Sequence, residues 1–281
     1  MALLASPLIG ACGPKKFAGK YPQISAGERH TCAVSARGDS ACWGSNVDGE
    51  SSPPLVPFRA VATGAYSCAL NEEFLPTCWG QGPEPPATPM RQLAVGHFFS
   101  CGVKTKTREI AVEQVIASNV VCWGVVRGEV PDGDYDSVTV GRNHACGLRD
   151  NGSVMCWGDN EHGQIDSPSG TLFTDISAGD EHSCGVTKDS TLSCWGRNDR
   201  QQRDVPEGKF TKVAAGWRHT CALRSDGVAL CWGDNAFGQA TPPAGVFREL
   251  TAGALHTCGI GIDEGVLCWG DDRFGQTNMG M

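Results

Sequence analysis

Cysteines are the residues of this sequence whose number and spacing point most directly to chemistry. Fourteen of the 15 cysteines form seven pairs, and the second member of each pair opens a Cys-Trp-Gly triplet. In six of the pairs the two members are 10 positions apart. The pairs are Cys32 and Cys42, Cys68 and Cys78, Cys101 and Cys122, Cys146 and Cys156, Cys184 and Cys194, Cys221 and Cys231, and Cys258 and Cys268. Only Cys12 is left without a partner.

These pairs fit three kinds of chemistry, namely disulfide bonds, free thiols or metal ligation. A turn signal, Ser225-Asp226-Gly227, lies midway between Cys221 and Cys231 and predicts a hairpin in which the two cysteines face each other. Directly opposed residues of an antiparallel pair come within about 4.5 Å between Cα atoms, which a disulfide can span. A metal would use the histidine that precedes five of the pairs by two residues, namely His30, His144, His182, His219 and His256. That arrangement gives only three ligands per repeat, so we predict disulfides and no metal site, with free thiols and metal ligation as the alternatives.

The cysteine pairs belong to a repeat of roughly 37 residues, and units of that size must stack to bury a core. In the sixth repeat, residues 208–216, 218–224 and 228–233 each predict a strand, and the hairpin is apolar on both faces. Such a hairpin must be covered on both sides by its neighbours. We therefore expect an all-β fold, a seven-bladed β-propeller with three- to four-stranded antiparallel blades, over residues 17–281. An open solenoid is the alternative.

The repeat also resembles a known family. The string G-x-x-H-[ST]-C-[AG]-[LV], then Asp-Gly, then C-W-G-x-N-x-x-G-Q resembles the regulator of chromosome condensation repeat over about residues 17–278. The short repeats are similar to the branch typified by the propeller-type β-lactamase-inhibitor protein, and the paired cysteines are similar to the ectodomains of Crinkly-type receptor kinases. The second and third repeats depart from the string after Trp79 and Trp123. The resemblance implies a propeller, and it is a weak guide to function because sites are grafted onto folds independently.

Composition excludes some classes of partner and leaves others open. The net charge of -8 argues against binding along nucleic-acid phosphates, which needs clustered lysine and arginine. No apolar stretch reaches the roughly 18 residues that a membrane span requires. No nucleophile, base and orienting acid stand in a recognisable pattern, so we predict no catalytic residue and no cofactor. An enzyme with a site in the central channel and a cytosolic regulator of a small GTPase are the alternative functions.

Residues that break the repeat are the candidates for partner binding, because exposed aromatic side chains on loops anchor protein interfaces. We predict that these side chains are Tyr66, Phe98, Phe99, Trp217, His162, Phe237 and Phe274. The third repeat also lengthens its hairpin by about 11 residues between Cys101 and Cys122, an insertion expected to project from one face. The periodic tryptophans of Cys-Trp-Gly are instead predicted to be core.

The expected location follows from the cysteines. Disulfides imply an oxidising compartment, so we expect an extracellular or cell-envelope protein. Residues 1–16 are an N-terminal tail or a lipoprotein-type signal segment, in which an apolar stretch precedes Cys12 as a candidate lipid anchor. The segment has no lysine or arginine before that stretch, which a signal peptide normally has. The sequence thus predicts a non-catalytic, disulfide-stapled and monomeric module that displays loops to a protein or glycan partner.

Overall fold

The computed structural model describes residues 16–17, 21–105 and 118–278, and it is built from strands. The strands are β1 (Lys16–Phe17), β2 (Gln23–Ala26), β3 (His30–Val34), β4 (Ser40–Gly44), β5 (Ala60–Thr63), β6 (Ser67–Leu70), β7 (Pro76–Trp79), β8 (Met90–Val95), β9 (Phe99–Lys104), β10 (Val120–Gly124), β11 (Tyr135–Val140), β12 (His144–Arg149), β13 (Val154–Gly158), β14 (Phe173–Ala178), β15 (His182–Thr187), β16 (Leu192–Gly196), β17 (Phe210–Ala215), β18 (His219–Arg224), β19 (Ala229–Gly233), β20 (Phe247–Ala252), β21 (His256–Gly261) and β22 (Val266–Gly270). Within the described residues, no helix has the length and apolarity that crossing a membrane would require.

Seven antiparallel sheets form the blades, and consecutive strands pair within each one. Blade 1 contains β2 to β4, and each later blade takes the next three strands, so that blade 7 contains β20 to β22. The hairpin of blade 6 turns at Gly227, which has a φ of 79° that glycine adopts without steric cost. Its register places Cys221 opposite Cys231, as the spacing predicts. The expected all-β propeller with three- to four-stranded blades is confirmed.

The ring is closed by the start of the chain. β1 pairs antiparallel with β22 and makes blade 7 the four-stranded sheet. Hydrogen bonds then join blade 7 to blade 1: the Ala26 amide donates to Thr251 Oγ1 at 3.0 Å, and Trp43 Nε1 donates to the Gln276 carbonyl at 2.9 Å. These contacts exclude the open solenoid.

All seven predicted disulfides are formed, including the pair that flanks the longer third hairpin. The Cα atoms of Cys221 and Cys231 are 4.0 Å apart, as expected for directly opposed residues. In the chain-entropy model, a loop of this length contributes about 3 kcal/mol per disulfide by restricting the unfolded chain. The sulfur atoms are therefore not available as free thiols or metal ligands.

The core lies between successive blades. The aromatic residue that opens the first strand of one blade packs against the Cys-Trp-Gly tryptophan of the same blade, as Phe173 does with Trp195 and Phe247 with Trp269. Phe173 also belongs to an apolar cluster with Cys146 of the preceding blade. The periodic tryptophans thus serve packing, as their regular spacing predicts.

Candidate binding face

Two sets of loops meet on one face of the propeller. The first set joins the first and second strands of each blade, and the second set follows each Cys-Trp-Gly triplet. Backbone hydrogen bonds tie the sets together: the Asp159 amide donates to the Asn143 carbonyl at 2.9 Å, and the Asp234 amide donates to the Arg218 carbonyl at 2.7 Å. We call this surface the mouth face, formed by residues 27–29, 64–66, 96–98, 141–143, 179–181, 216–218 and 253–255 with residues 45–50, 80–84, 125–129, 159–164, 197–202, 234–239 and 271–276.

A ring of glycines surrounds the central channel at the mouth face. The ring consists of Gly27, Gly64, Gly96, Gly141, Gly179, Gly216 and Gly253. A Cβ atom on Gly64 would lie 2.2 Å from the Gly96 carbonyl oxygen of the next blade. The residue after each glycine can bond across the blade boundary, as the Asp180 amide does when it donates to the Gly216 carbonyl at 3.2 Å. Glycine is therefore required here because neighbouring backbones approach too closely for any side chain.

The buried histidines connect each blade to the next. His182 Nε2 lies 2.9 Å from Thr220 Oγ1, and Thr220 Oγ1 donates to the Gln202 carbonyl at 2.8 Å. Because the hydroxyl proton is directed to that carbonyl, His182 must donate its Nε2 proton to the hydroxyl oxygen. Burial lowers the pKa of His182 to about 3, so the imidazole is neutral. The equivalent pairs are His30 with Ser67, His144 with Ser183, His219 with Thr257 and His256 with Thr31.

Two predicted binding residues turn out to occupy these histidine positions. Tyr66 is 3% exposed, and its hydroxyl is 2.7 Å from Ser100 Oγ of the next blade. Phe99 is fully buried in an apolar cluster with Ala145, which stands where the other blades have serine or threonine. The expectation that Tyr66 and Phe99 are exposed anchors is wrong, because both lie two residues before the first cysteine of their pair. Counting two residues back from Cys68 and Cys101 shows from the sequence alone that Tyr66 and Phe99 occupy the histidine position.

The other five candidates all lie on the mouth face. Phe98, Phe237 and Phe274 are each close to 40% exposed, and Trp217 and His162 are partly exposed. Guanidinium groups cover the rings of the phenylalanines. They are Arg142 at 6.0 Å from the Phe98 ring centroid, Arg273 at 4.5 Å from Phe237 and Arg29 at 5.1 Å from Phe274. Exposed aromatic and arginine side chains in this arrangement are typical of interface hot spots.

The Asn-x-x-Gly-Gln motif builds the loop that carries Phe237, and the loop of Phe274 has the same form with Asp272 in place of the asparagine. Asn235 Oδ1 accepts a hydrogen bond from the Ala240 amide, and Gln239 Oε1 accepts one from the Phe237 amide, both at 2.9 Å. The Gln239 carbonyl accepts bonds from Thr257 and Trp269 of blade 7. The polar residues of the motif are thus used by the fold, and the residue before Gly-Gln is presented outward.

Ionisable groups line the same face beside the channel. Glu28 pairs with His97, and Glu181 pairs with Arg197. Arg142 Nη1 lies 3.7 Å from Asp180 Oδ2, and the Asp180 side chain is only 12% exposed. Burial raises the pKa of Asp180 to about 6, against the opposing effect of Arg142. His162 Nε2 lies 3.7 Å from Glu181.

Some predictions fall on residues that the structure does not describe. The inserted segment of the third repeat includes residues 106–117, which lie outside the described ranges, as does Cys12. The flanks of the insertion are described: the Lys104 amide donates to the Asn119 carbonyl at 2.9 Å at the hairpin end of β9 and β10. That end of the hairpin is opposite the mouth face. In the described chain, no group of three or more His, Cys, Asp or Glu side chains is arranged to hold a metal ion.

A family model for the regulator of chromosome condensation (RCC1) repeat matches residues 23–50, 135–164, 173–202, 210–239 and 247–276. The matched segments make up just over half of the chain. The chain belongs to this repeat family. The unmatched stretch contains the second and third repeats, in which the loops after Trp79 and Trp123 lack the Asn-x-x-Gly-Gln motif.

Solved structures that are similar to this chain include two receptor ectodomains. The entire ectodomain of the Physcomitrella patens receptor kinase CR4 is 29% identical with a TM-score of 0.74, covering 88% of this chain and 72% of that one. The CRINKLY ectodomain of the Arabidopsis thaliana receptor kinase ACR4 is 26% identical with a TM-score of 0.72, covering 90% and 96%. Prp20p from Saccharomyces cerevisiae, whose binding to Gsp1p and histones is described, is 16% identical with a TM-score of 0.67, covering 90% and 83%. The last likeness concerns the fold alone.

Proposed function

We propose that this repeat-family member is a non-catalytic binding module that uses its mouth face to dock a protein partner outside the cytosol. The convergence of Phe98, Trp217, Phe237, Phe274 and His162 on one face carries the proposal. The repeated polar residues hold blades and loops together, so these irregular side chains are the part of the face free to vary with a partner. The seven disulfides and the likeness to receptor ectodomains support a location in an oxidising compartment.

The geometry favours a protein over a glycan as the partner. Arg29 and Arg273 lie over the rings of Phe274 and Phe237, so one face of each ring is already occupied by a guanidinium group. Sugars bind best to open aromatic faces, whereas mixed arginine and aromatic surfaces are common at protein interface centres. A rigid disc also presents these side chains with little ordering cost on binding.

The test compares two faces of the same protein. One variant combines Phe98→Ala, Trp217→Ala, Phe237→Ala and Phe274→Ala. The matched control combines Ile262→Ala and Val228→Ala, exposed residues at hairpin turns on the opposite face. Each protein is incubated with proteins from the surface of its native host, and retained proteins are quantified by mass spectrometry.

We expect one or more proteins to be retained by the wild type and the control but not by the mouth-face variant. The affinity of the purified partner should then fall by at least 100-fold in that variant, as for loss of several hot-spot residues. Equal retention by both variants would refute the proposal, provided that their circular dichroism and denaturation midpoints match the wild type.

A further inference from the structure

The central channel is a cavity that opens at the mouth face. Its volume is about 390 Å³, and the first strands of all seven blades form its walls. Polar side chains of those strands bond to the next blade: the Val138 amide donates to Gln92 Oε1 at 3.0 Å, and the Ala215 amide donates to Ser177 Oγ at 3.0 Å. The wall is therefore rigid, and the cavity exists before any ligand enters.

Carboxylates outnumber cationic groups in this cavity. The ionisable residues that line it are Glu28, His97, Arg142, Asp175 and Asp180. The group therefore comprises three carboxylates, one guanidinium and one histidine, and the histidine is bonded to Glu28. Asp175 is also paired with Lys212, whose Nζ lies 3.8 Å away, so the three carboxylates face two cations, Arg142 and Lys212. In a cavity walled by protein, the remaining negative charge attracts cations and repels anions.

Asp180 is the carboxylate with the weakest compensation at the mouth. Its nearest guanidinium, Arg142, stays 3.7 Å away and also lies over the Phe98 ring. The neighbouring Glu181 is a further carboxylate, and its ion-pair partner is Arg197. Burial is the largest cause of the raised pKa of Asp180, and Glu181 and Glu28 add to it against the opposing effects of Arg142 and His97.

Trp217 supplies an aromatic wall next to this carboxylate. The Asp180 amide bonds to the Gly216 carbonyl, which places the two residues at adjacent positions around the glycine ring. Trp217 lines the cavity and is partly exposed, and the corresponding positions of blades 7 and 2 hold the small residues Ala254 and Ala65. Indole is the aromatic group that binds cations best, so the lining of the cavity carries a carboxylate and an indole at adjacent positions of the glycine ring.

We propose that the mouth of the channel binds one alkylammonium or guanidinium group, which pairs with Asp180 and packs against Trp217. The group is a lysine or arginine side chain of the docked protein, in which case this inference rests on the proposed function, or it belongs to a free small amine. Both sources share the chemistry that the site recognises.

The test uses four probes and follows the indole N–H signal of Trp217 by NMR. The signal is assigned by its loss in Trp217→Phe. The probes are Nα-acetyl-lysine amide and the peptide acetyl-Gly-Gly-Lys-Gly-Gly-amide, each with its Nε-acetylated and therefore uncharged counterpart. The variants are Asp180→Asn, which keeps the shape of the side chain, and the control Glu161→Gln, an exposed carboxylate of the mouth face that does not line the channel.

We expect saturable shifts with the charged probes and none with the acetylated ones. Asp180→Asn should weaken binding by about tenfold, because a charge-assisted bond is lost, whereas Glu161→Gln should leave it unchanged. Binding of both charged probes, of the peptide alone or of the free amine alone supports the site and identifies the source of the group. Equal binding of acetylated probes, no binding of any probe, or full affinity in Asp180→Asn overturns it.

The two proposals can fail separately. If a partner is lost only from the mouth-face variant and the charged probes give no response, the docking proposal stands and the channel site is refuted. If the charged probes bind but every retained protein binds both face variants equally, the docking proposal is refuted and the channel remains a site for small amines.

Discussion

The hydrogen bond between His144 and Ser183 offers a direct test of how the blades are joined. His144 Nε2 lies 2.9 Å from Ser183 Oγ, and the hydroxyl is near the Gln164 carbonyl at 3.3 Å. Ser183→Ala removes one oxygen atom and leaves a buried imidazole N–H without an acceptor. Such an orphaned donor costs about 1–3 kcal/mol, so we expect the free energy of unfolding to fall by about 2 kcal/mol.

At one blade contact, the protein itself has two apolar residues in place of the histidine and the hydroxyl. Phe99 and Ala145 occupy the same two positions at the contact of blades 3 and 4, and both are fully buried. The double variant His144→Phe with Ser183→Ala copies that pair, so no donor is left unpaired. It should lose less free energy than the sum of the two single changes, by a coupling of about 1–2 kcal/mol.

The measurement is guanidinium chloride denaturation of the oxidised protein, followed by tryptophan fluorescence, for the wild type, both single variants and the double variant. Equal slopes in all four proteins allow the midpoints to be compared as free energies. Additive losses within about 0.5 kcal/mol would refute the idea that the histidine and hydroxyl act as one unit.

Three further predictions follow from the buried groups and the cysteines. Burial lowers the pKa of His144 to about 4 from an ordinary 6.5, so its contribution to stability is complete above pH 6.5 and is lost as the pH falls toward 4. The free energy of unfolding should fall by about 2 kcal/mol per such histidine between pH 7 and 5. Asp175 and Asp180, whose pKa values are raised by burial, act in the opposite direction. In His144→Phe, the free energy of unfolding should depend less steeply on pH. Alkylation under denaturing conditions of protein from its native host should modify the seven pairs only after reduction, and 14 reactive thiols without reductant would contradict the oxidising location. Gly64→Ala should lower the denaturation midpoint strongly, because the added Cβ would meet a backbone carbonyl of blade 3. In Gly49→Ala the added Cβ would have no atom within 4 Å, but the φ of 84° is strained for alanine. That variant should lower the free energy of unfolding by about 1 kcal/mol.

The sequence was sufficient for the repeating part of the molecule and insufficient for the irregular part. The 10-residue spacing and a glycine turn determine the hairpin register, so the disulfide of Cys221 and Cys231 follows from local geometry. Ring closure by Lys16–Phe17 was not predictable, because a two-residue strand has no periodic signal. The burial of Tyr66 was missed because its aromatic type was considered without its position in the repeat.

The channel site was also beyond the sequence. Glu28, His97, Arg142, Asp180 and Trp217 occupy equivalent positions in different repeats, but the sequence does not show which of them pair with one another around the opening of the ring. Glu28 of blade 1 pairs with His97 of blade 3, across blade 2, which has Ala65 at the equivalent position. This contact depends on the curvature of the ring, which the repeat pattern does not specify.

Every disulfide joins two cysteines that are consecutive along the chain, and none crosses from one blade to another. A chain that enters an oxidising compartment from one end can therefore complete each bond as soon as the second cysteine of a hairpin arrives. Closing so short a segment requires little search, and a cysteine that has already bonded cannot pair wrongly with one that emerges later. The molecule thereby avoids the combinatorial problem that 14 cysteines would otherwise pose, and it can be made without extensive reshuffling by an isomerase.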